Sequence, residues 1–178
     1  GVYLVARTLI LFTPQSLAVV LGLGLLTHLA AGTVALAMTD IKRILAYSTI
    51  SQLGLMMTAL GLGAGGAAMF HLSTHAFFKA LLFLGAGSVI HATHQQELSE
   101  LGGLRPAMPW TAAVMLIAAL SMSGLPGLSG FWSKDAVLLA AQHAHPALLG
   151  LLLLGATLTA GYVARLYLRC FHGQPSSP

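Results

Sequence analysis

Charged residues are scarce in this sequence, and acidic residues are the scarcest of them. Only 7% of the 178 residues are charged, with 4 acidic residues against 8 Lys and Arg. Soluble domains carry about 25% charged residues, so a soluble globular domain is excluded. The formal charge of +4 is too small and too scattered to bind nucleic acid. Because 57% of the residues are hydrophobic, the composition predicts a protein embedded in the lipid bilayer.

Cysteine and nucleotide-binding motifs are also lacking. The single cysteine, Cys170, permits neither an internal disulfide nor a cysteine-ligated metal cluster. His143 and His145 lack the helical spacing and the extra partners of a metal site, which favours a solvated loop. Neither a G-x-G-x-x-G fingerprint nor a P-loop occurs in the sequence. We therefore predict no metal site and no cofactor site in this chain.

Long apolar runs divide the chain into candidate membrane spans, since about 20 apolar residues cross a bilayer as a helix. Residues 1–12 begin within an apolar pattern, so we expect the end of a preceding helix and a fragment of a longer protein. The further predicted spans are 17–38, 44–62, 67–90, 110–142 and 147–171, followed by a polar tail at 174–178. The predicted fold class is an all-α, multi-pass membrane helix bundle.

Two connecting segments carry further signals. The span 110–142 exceeds the length of one straight crossing, and three glycines and a proline within 124–130 predict that its helix is interrupted. Irregular backbone at membrane depth requires protein or water to satisfy it, and transporters place such breaks at binding sites. The polar stretch before this span is predicted to contain a short interfacial helix at 95–101.

The stretch FHLSTHAFFKALLFL at 70–84 is the strongest functional signal. On a helix, His71, His75 and Lys79 lie one turn apart on a single face. Lys79 lies at the middle of its span, about 15 Å from either interface, which disfavours the alternative that its amine extends to a lipid headgroup. A histidine in a membrane often serves only as an interhelical hydrogen-bond partner. Two histidines in register with a lysine nevertheless favour a proton relay.

Two other polar positions leave alternatives open. Lys134 follows the predicted break, where burial and the positive end of the helix dipole disfavour an ammonium and Asp135 favours it. This pattern fits either a proton-exchanging lysine or an ordinary Lys–Asp pair near the surface. His28 has no ionisable neighbour in sequence, which favours a hydrogen-bonded packing role.

The distribution of basic residues predicts the orientation in the membrane. If the spans alternate in direction, one end carries four basic residues and the other end carries Arg7. The four are Lys42, Arg43, Arg105 and Arg169. An excess of basic residues marks the cytoplasmic side, so we expect the Lys42–Arg43 turn on that side.

Several motifs resemble those of a known family. They are TDIKRILAYSTISQLG (39–54), FHLSTHAFFKALLFLGAGSVIH (70–91), GGLRPAMPWT (102–111), LPGLSGFWSKDAVL (125–138) and a closing Tyr162-x-x-Arg165 with FHG at 171–173. In this order they resemble the antiporter-like, proton-pumping membrane subunits of NADH-quinone oxidoreductase (respiratory complex I), the group of subunit L and subunit 5.

This resemblance implies a fold and a set of roles. Residues 13–173 would form one five-helix, proton-translocating repeat with an interrupted helix. Lys79 would be the central lysine, with His71 and His75 as connecting residues and Lys134 as the lysine of the interrupted helix. The supporting positions implied by the resemblance are Lys42 and Asp40, in the polar axis along the subunit, and Asp135 beside Lys134.

The resemblance also implies a function and partners. The chain would translocate protons, through internal water, while other subunits transfer electrons from NADH to quinone. NADH, FMN, iron–sulfur clusters and quinone would then belong to the partner subunits, and the protein would lie in a bacterial inner membrane. The alternatives are a subunit of a sodium/proton antiporter or of a membrane-bound hydrogenase of the same superfamily, or a structural membrane scaffold.

Overall fold

A bundle of helices makes up the computed structural model, which describes residues 1–173. The polar tail predicted for 174–178 lies outside the described residues. The helices are α1 (Val2–Thr8), a 3₁₀ turn (Leu9–Leu11), α2 (Pro14–Ala37), α3 (Ile41–Gly61), α4 (Gly65–Thr93), α5 (Pro109–Ser123), α6 (Ser129–Ala144) and α7 (Pro146–Phe171). Helices α2, α3, α4 and α7 are each long and apolar enough to cross a membrane. The predicted multi-pass helical fold is confirmed.

Side-chain caps explain where three of these helices begin. The Thr13 hydroxyl accepts a hydrogen bond from the backbone N–H of Ser16 (3.3 Å) before α2. Asp40 Oδ1 accepts one from the N–H of Arg43 (2.9 Å) at the start of α3. His145 precedes α7, and its Nδ1 accepts one from the N–H of Ala147. Each cap satisfies an N–H that has no partner within its helix.

The helix interruption predicted near 124–130 is confirmed, and it separates α5 from α6. Gly124 ends α5 with φ +91°, a left-handed conformation that residues other than glycine rarely adopt. The N–H of Leu128 then bonds the carbonyl of Leu125 (3.2 Å), closing a turn whose central residues are Pro126 and Gly127 (φ +91°). Proline followed by glycine at these positions is the signature of a type II turn.

The short helix predicted at 95–101 is wrong. Helix α4 continues to Thr93, and His94 ends it in the left-handed conformation (φ 57°). The chain after His94 then pairs with the α2–α3 turn: Ile41 N–H bonds Gln96 O (3.0 Å), and Leu98 N–H bonds Thr39 O (2.9 Å). Because these backbone groups bond across the chain, they do not form a helical ladder.

The α2–α3 turn, the segment after α4 and the end of α7 meet at one end of the bundle. The N–H of Arg105 bonds the carbonyl of Phe171 (3.3 Å). Arg165 donates to the carbonyl of Met38. Helix α1, which carries Arg7, packs instead near the opposite end against the residues that join α3 to α4. The basic residues are therefore concentrated at the end that contains Lys42.

Helices α2 and α3 pack with their backbones in contact, and glycines permit this approach. A Cβ atom placed on Gly54 would lie 2.5 Å from the backbone N of His28 and 2.7 Å from the carbonyl oxygen of Gly24. A Cβ on Gly24 would in turn lie 2.5 Å from the backbone N of Thr58. This contact holds α2 against the polar face of α3.

Replacing Gly54 with alanine is therefore expected to destabilise the bundle by about 2 kcal/mol, because the new methyl group meets backbone atoms that cannot rotate away. The measurement is the thermal unfolding midpoint of the detergent-solubilised full-length protein. Gly22→Ala on α2 is the matched control, since a Cβ there meets nothing within 4 Å. Equal effects of the two substitutions would contradict the close contact.

Candidate functional site

Lys79 lies at the centre of α4 and is only 5% exposed. Its Nζ donates hydrogen bonds to the carbonyl oxygen of Leu45 (3.0 Å) and to the hydroxyl of Ser48, both on α3. The alternative in which this amine extends to a lipid headgroup is therefore wrong. Both partners are neutral oxygens, so the ammonium is solvated by dipoles and not neutralised by a carboxylate. Burying a charge in this way is energetically unfavourable unless hydrogen bonds compensate for it.

His71 and His75 lie on the same face of α4 as Lys79, and all three side chains are buried. The two imidazole centroids are 6.2 Å apart. His71 Nε2 lies 3.0 Å from Gln52 Oε1, and its Nδ1 lies 2.9 Å from Ser133 Oγ. Since an amide oxygen only accepts, Nε2 carries the proton in the neutral ring and Nδ1 accepts from the serine. His71 therefore joins α3 to α6.

His75 has a different environment from His71. Its ring packs edge-on against Phe78, with centroids 5.3 Å apart. Its Nε2 is buried and makes no hydrogen bond to the residues that the structure describes. His75 thus lies one turn from Lys79 on α4 but is not among the hydrogen-bond partners of Lys79 or Lys134.

Lys134 is 6% exposed and lies in the second turn of α6, because that helix begins at Ser129. Lys134 therefore lies beyond the first turn, where the positive end of the helix dipole acts most strongly. Its Nζ donates to the carbonyl oxygen of Met122 (2.7 Å) in the last turn of α5. A cation at a helix C-terminus interacts favourably with the helix dipole. The surface Lys–Asp pair is wrong, since Lys134 points inwards while Asp135 is exposed.

A series of buried polar groups connects the surroundings of the two lysines. Ser48 binds Lys79, and Gln52 follows one turn later on α3 and bonds His71. His71 bonds Ser133, which directly precedes Lys134 in α6. The same region includes further buried hydroxyls: Thr74 donates to Ser133, Gln52 donates to Thr159, and Tyr162 lies beside Ser48, Gln52 and Thr159. This series, from Ser48 to Ser133, is named the polar chain below.

Sequence reasoning did not identify Gln52 or Ser133 as connecting residues. The i, i+4 spacing of Ser48 and Gln52 on one face of α3 is the signal that points to them. Ser133 has only its position before Lys134 as a signal. Nothing in its own helix predicts its bond to His71.

The remaining predicted residues lie away from the polar chain. Lys42 is exposed at the start of α3, and the Asp40 side chain caps that helix. Together with the exposed Asp135, they do not join Lys79 and Lys134 within residues 1–173. No group of three or more His, Cys, Asp or Glu side chains in that range could hold a metal ion.

Comparison with known proteins assigns this chain to a family. Residues 1–159 match the family described as NADH:quinone oxidoreductase/Mrp antiporter, TM. The chain is 49% identical to NADH-quinone oxidoreductase subunit L of Escherichia coli (strain K12), over 98% of this chain and 29% of that protein. It is 50% identical to F(420)H(2) dehydrogenase subunit L of Methanosarcina mazei, over 99% of this chain and 29% of that protein.

A solved structure agrees with these matches. The Mrp complex from Dietzia sp. DQ12-45-1b contains a chain with a TM-score of 0.88 and 37% identity, covering 93% of this chain and 20% of that one. The present chain spans less than a third of the length of these relatives. By its sequence and its fold, it belongs to the transmembrane family of NADH:quinone oxidoreductases and Mrp antiporters.

Proposed function

We propose that this chain forms a proton pathway within an antiporter-like subunit of a NADH-quinone oxidoreductase. The observation that carries the proposal is the polar chain, in which His71 bonds both Gln52 and Ser133. One end of the chain, Ser48, bonds Lys79, and the other end, Ser133, directly precedes Lys134. Lysine suits this task because it can release its proton when buried, whereas arginine stays charged. Residues 13–173 act as one five-helix translocating unit, and residues 1–12 end the helix that precedes it.

Protons move between the lysines by way of the polar chain and internal water. A charge change in a neighbouring membrane subunit alters the protonation of Lys79, and the proton then passes towards Lys134. His71 supplies a group that accepts on one nitrogen and donates on the other, and His75 supplies a second imidazole, one turn from both His71 and Lys79. Lys42 and Asp40 contribute to the transfer of protons along the subunit, and Asp135 contributes near Lys134.

The rest of the enzyme belongs to partner subunits. These carry NADH, FMN, the iron–sulfur clusters and quinone, and they contact this chain within the membrane. The end that holds Lys42 and Arg43 faces the cytoplasm, since basic residues accumulate on that side. The relatives named NADH-quinone oxidoreductase subunit L support this assignment to a respiratory complex of a bacterial inner membrane.

A sodium/proton antiporter subunit is the second candidate, because the similar solved structure is part of an Mrp complex. Sodium, a hard cation, binds best to oxygen ligands and especially to carboxylates. The four acidic residues of the sequence all lie outside the polar chain, at Asp40, Glu97, Glu100 and Asp135. Two buried lysines also repel a cation. The site therefore favours proton transfer over sodium transfer.

Flux measurements on the parent complex, reconstituted in proteoliposomes, test whether it transports protons or sodium ions. We expect NADH oxidation to acidify the lumen, as seen with a pH-sensitive dye, and the gradient to collapse on adding a protonophore. Replacing sodium by potassium in the buffer should leave this signal unchanged. Uptake of labelled sodium that resists the protonophore would contradict the proposal and support the antiporter.

A further inference from the structure

A small cavity lies beside the lysine of the interrupted helix and outside the polar chain. It measures about 10 Å³, counted as the space open to the centre of a water-sized sphere. It is lined by His28, Leu55, Lys134, Leu138, Leu152 and Ala156. Two of these residues are polar, and both are almost fully buried, at 1% exposed for His28 and 6% for Lys134. The other lining residues are apolar.

The ring of His28 is held in one orientation. Its Nδ1 lies 2.9 Å from the carbonyl oxygen of Ser51, and the Ser51 hydroxyl donates to the backbone carbonyl of His28 (2.8 Å). The Nε2 edge of the ring packs against Gly155, where a Cβ would overlap Nε2 and the adjoining carbons. The bond to Ser51 and the contact with Gly155 agree with the packing role predicted for His28.

The two ring nitrogens of His28 differ in their hydrogen bonding. A carbonyl oxygen only accepts hydrogen bonds, so Nδ1 carries the proton in the neutral ring and Nε2 is an acceptor. Nε2 is buried and makes no hydrogen bond to any described residue. Buried polar atoms in folded proteins are nearly always paired with protein or with ordered water.

The cavity is suited to one water molecule. About 10 to 15 Å³ of this kind of volume is the minimum that a water requires, together with at least two polar partners. A water can donate to Nε2 of His28 and accept from the Lys134 ammonium, which has three N–H donors and gives one to Met122.

We propose that His28 is a positioning residue that holds a single water molecule in this cavity against Lys134. This inference rests on the proposed function, because the water supplies the hydrogen-bond partner through which Lys134 exchanges protons with the side of the bundle formed by α2 and α7. His28 itself need not change its protonation state. It needs only a polar atom at the position of Nε2.

Two substitutions in the full-length subunit of the assembled complex distinguish the role of Nδ1 of His28 from that of Nε2. In His28→Asn the amide lies where Nδ1 lies, so the bond to Ser51 is retained and the polar atom at the position of Nε2 is lost. In His28→Gln the amide reaches the position of Nε2. We expect His28→Asn to lower the number of protons translocated per NADH about tenfold. His28→Gln is expected to retain at least half of the unsubstituted value, and both variants should assemble normally.

A water-resolving cryo-EM map of the complex provides a second readout that does not depend on pumping. It should show density within about 3.2 Å of His28 Nε2 and of Lys134 Nζ, and the density should be absent in His28→Asn. An unsubstituted protein without this density overturns the inference, as do equal pumping ratios in the two variants. Normal pumping by Lys79→Met would instead overturn the proposed function, and the map would still decide whether His28 binds the water.

Discussion

Replacing Lys79 with methionine is expected to reduce proton translocation by the assembled complex at least about tenfold, because no other ionisable group occupies its place on the path. Methionine has a similar length and is apolar, so it fills the same space between α3 and α4. In this variant Leu45 O and the Ser48 hydroxyl lose the hydrogen bonds from Lys79. The Ser48 hydroxyl still donates to Leu45 O (2.8 Å), so this carbonyl keeps a partner. The measurement is the acidification of proteoliposomes per NADH oxidised.

Lys79→Arg separates proton exchange from the presence of charge. Arginine keeps the positive charge but cannot be deprotonated in a protein. If Lys79 carries protons, the arginine variant is as defective as the methionine variant. Leu84→Met on the exposed face of the same helix is the control and should pump normally. A membrane scaffold predicts the reverse pattern, in which Lys79→Met leaves proton flux intact and assembly suffers.

The fold follows from local features that are visible in the sequence. Apolar runs of sufficient length predict the spans, and the observed helix α4 (Gly65–Thr93) contains the predicted 67–90 with a few more residues at each end. The break follows from glycine and proline, whose backbone limits hold in any context. The segment 95–101 was mispredicted because its backbone pairs with the α2–α3 turn, and this pairing depends on where two distant segments meet.

The site follows only in part, for the same reason. The face shared by His71, His75 and Lys79 is a property of one helix, so the sequence predicts it. The partners of these side chains lie on other helices, and the sequence contains no direct record of how α3, α4 and α6 are rotated about their axes. Gln52 and Ser133 therefore become visible as connecting residues only when the helices are packed together.

His28 shows that proximity between residues far apart in the chain cannot be read from the sequence. A histidine without an ionisable neighbour in sequence was interpreted as a packing residue, and its bond to Ser51 agrees with that. Lys134 is more than 100 residues away in the chain. The two residues line one cavity because α6 begins at Ser129 and not later, which moves Lys134 into the second turn.

The strongest structural effect is expected from Gly130→Ala. Gly130 lies in the first turn of α6, and its N–H donates to the Ser121 hydroxyl (3.3 Å) on α5. A Cβ on Gly130 would collide with the backbone carbonyl oxygen of Ser121. Relief requires α6 to move away from α5. That movement would separate Lys134 from Met122 O and Ser133 from His71, because both side chains lie in the next turn of α6.

Gly130→Ala should therefore destabilise the protein by about 3 kcal/mol, which is at the upper end of the range for overpacking. It should also impair pumping. Gly150→Ala on α7 is the matched control, since a Cβ there meets nothing within 4 Å. In an exposed helix this change removes the intrinsic penalty of glycine, about 1 kcal/mol, and should be neutral or stabilising. The readouts are the thermal midpoint of the purified complex and the protons translocated per NADH. Equal results for Gly130→Ala and Gly150→Ala in both measurements would show that the close approach of α5 and α6 does not position Lys134.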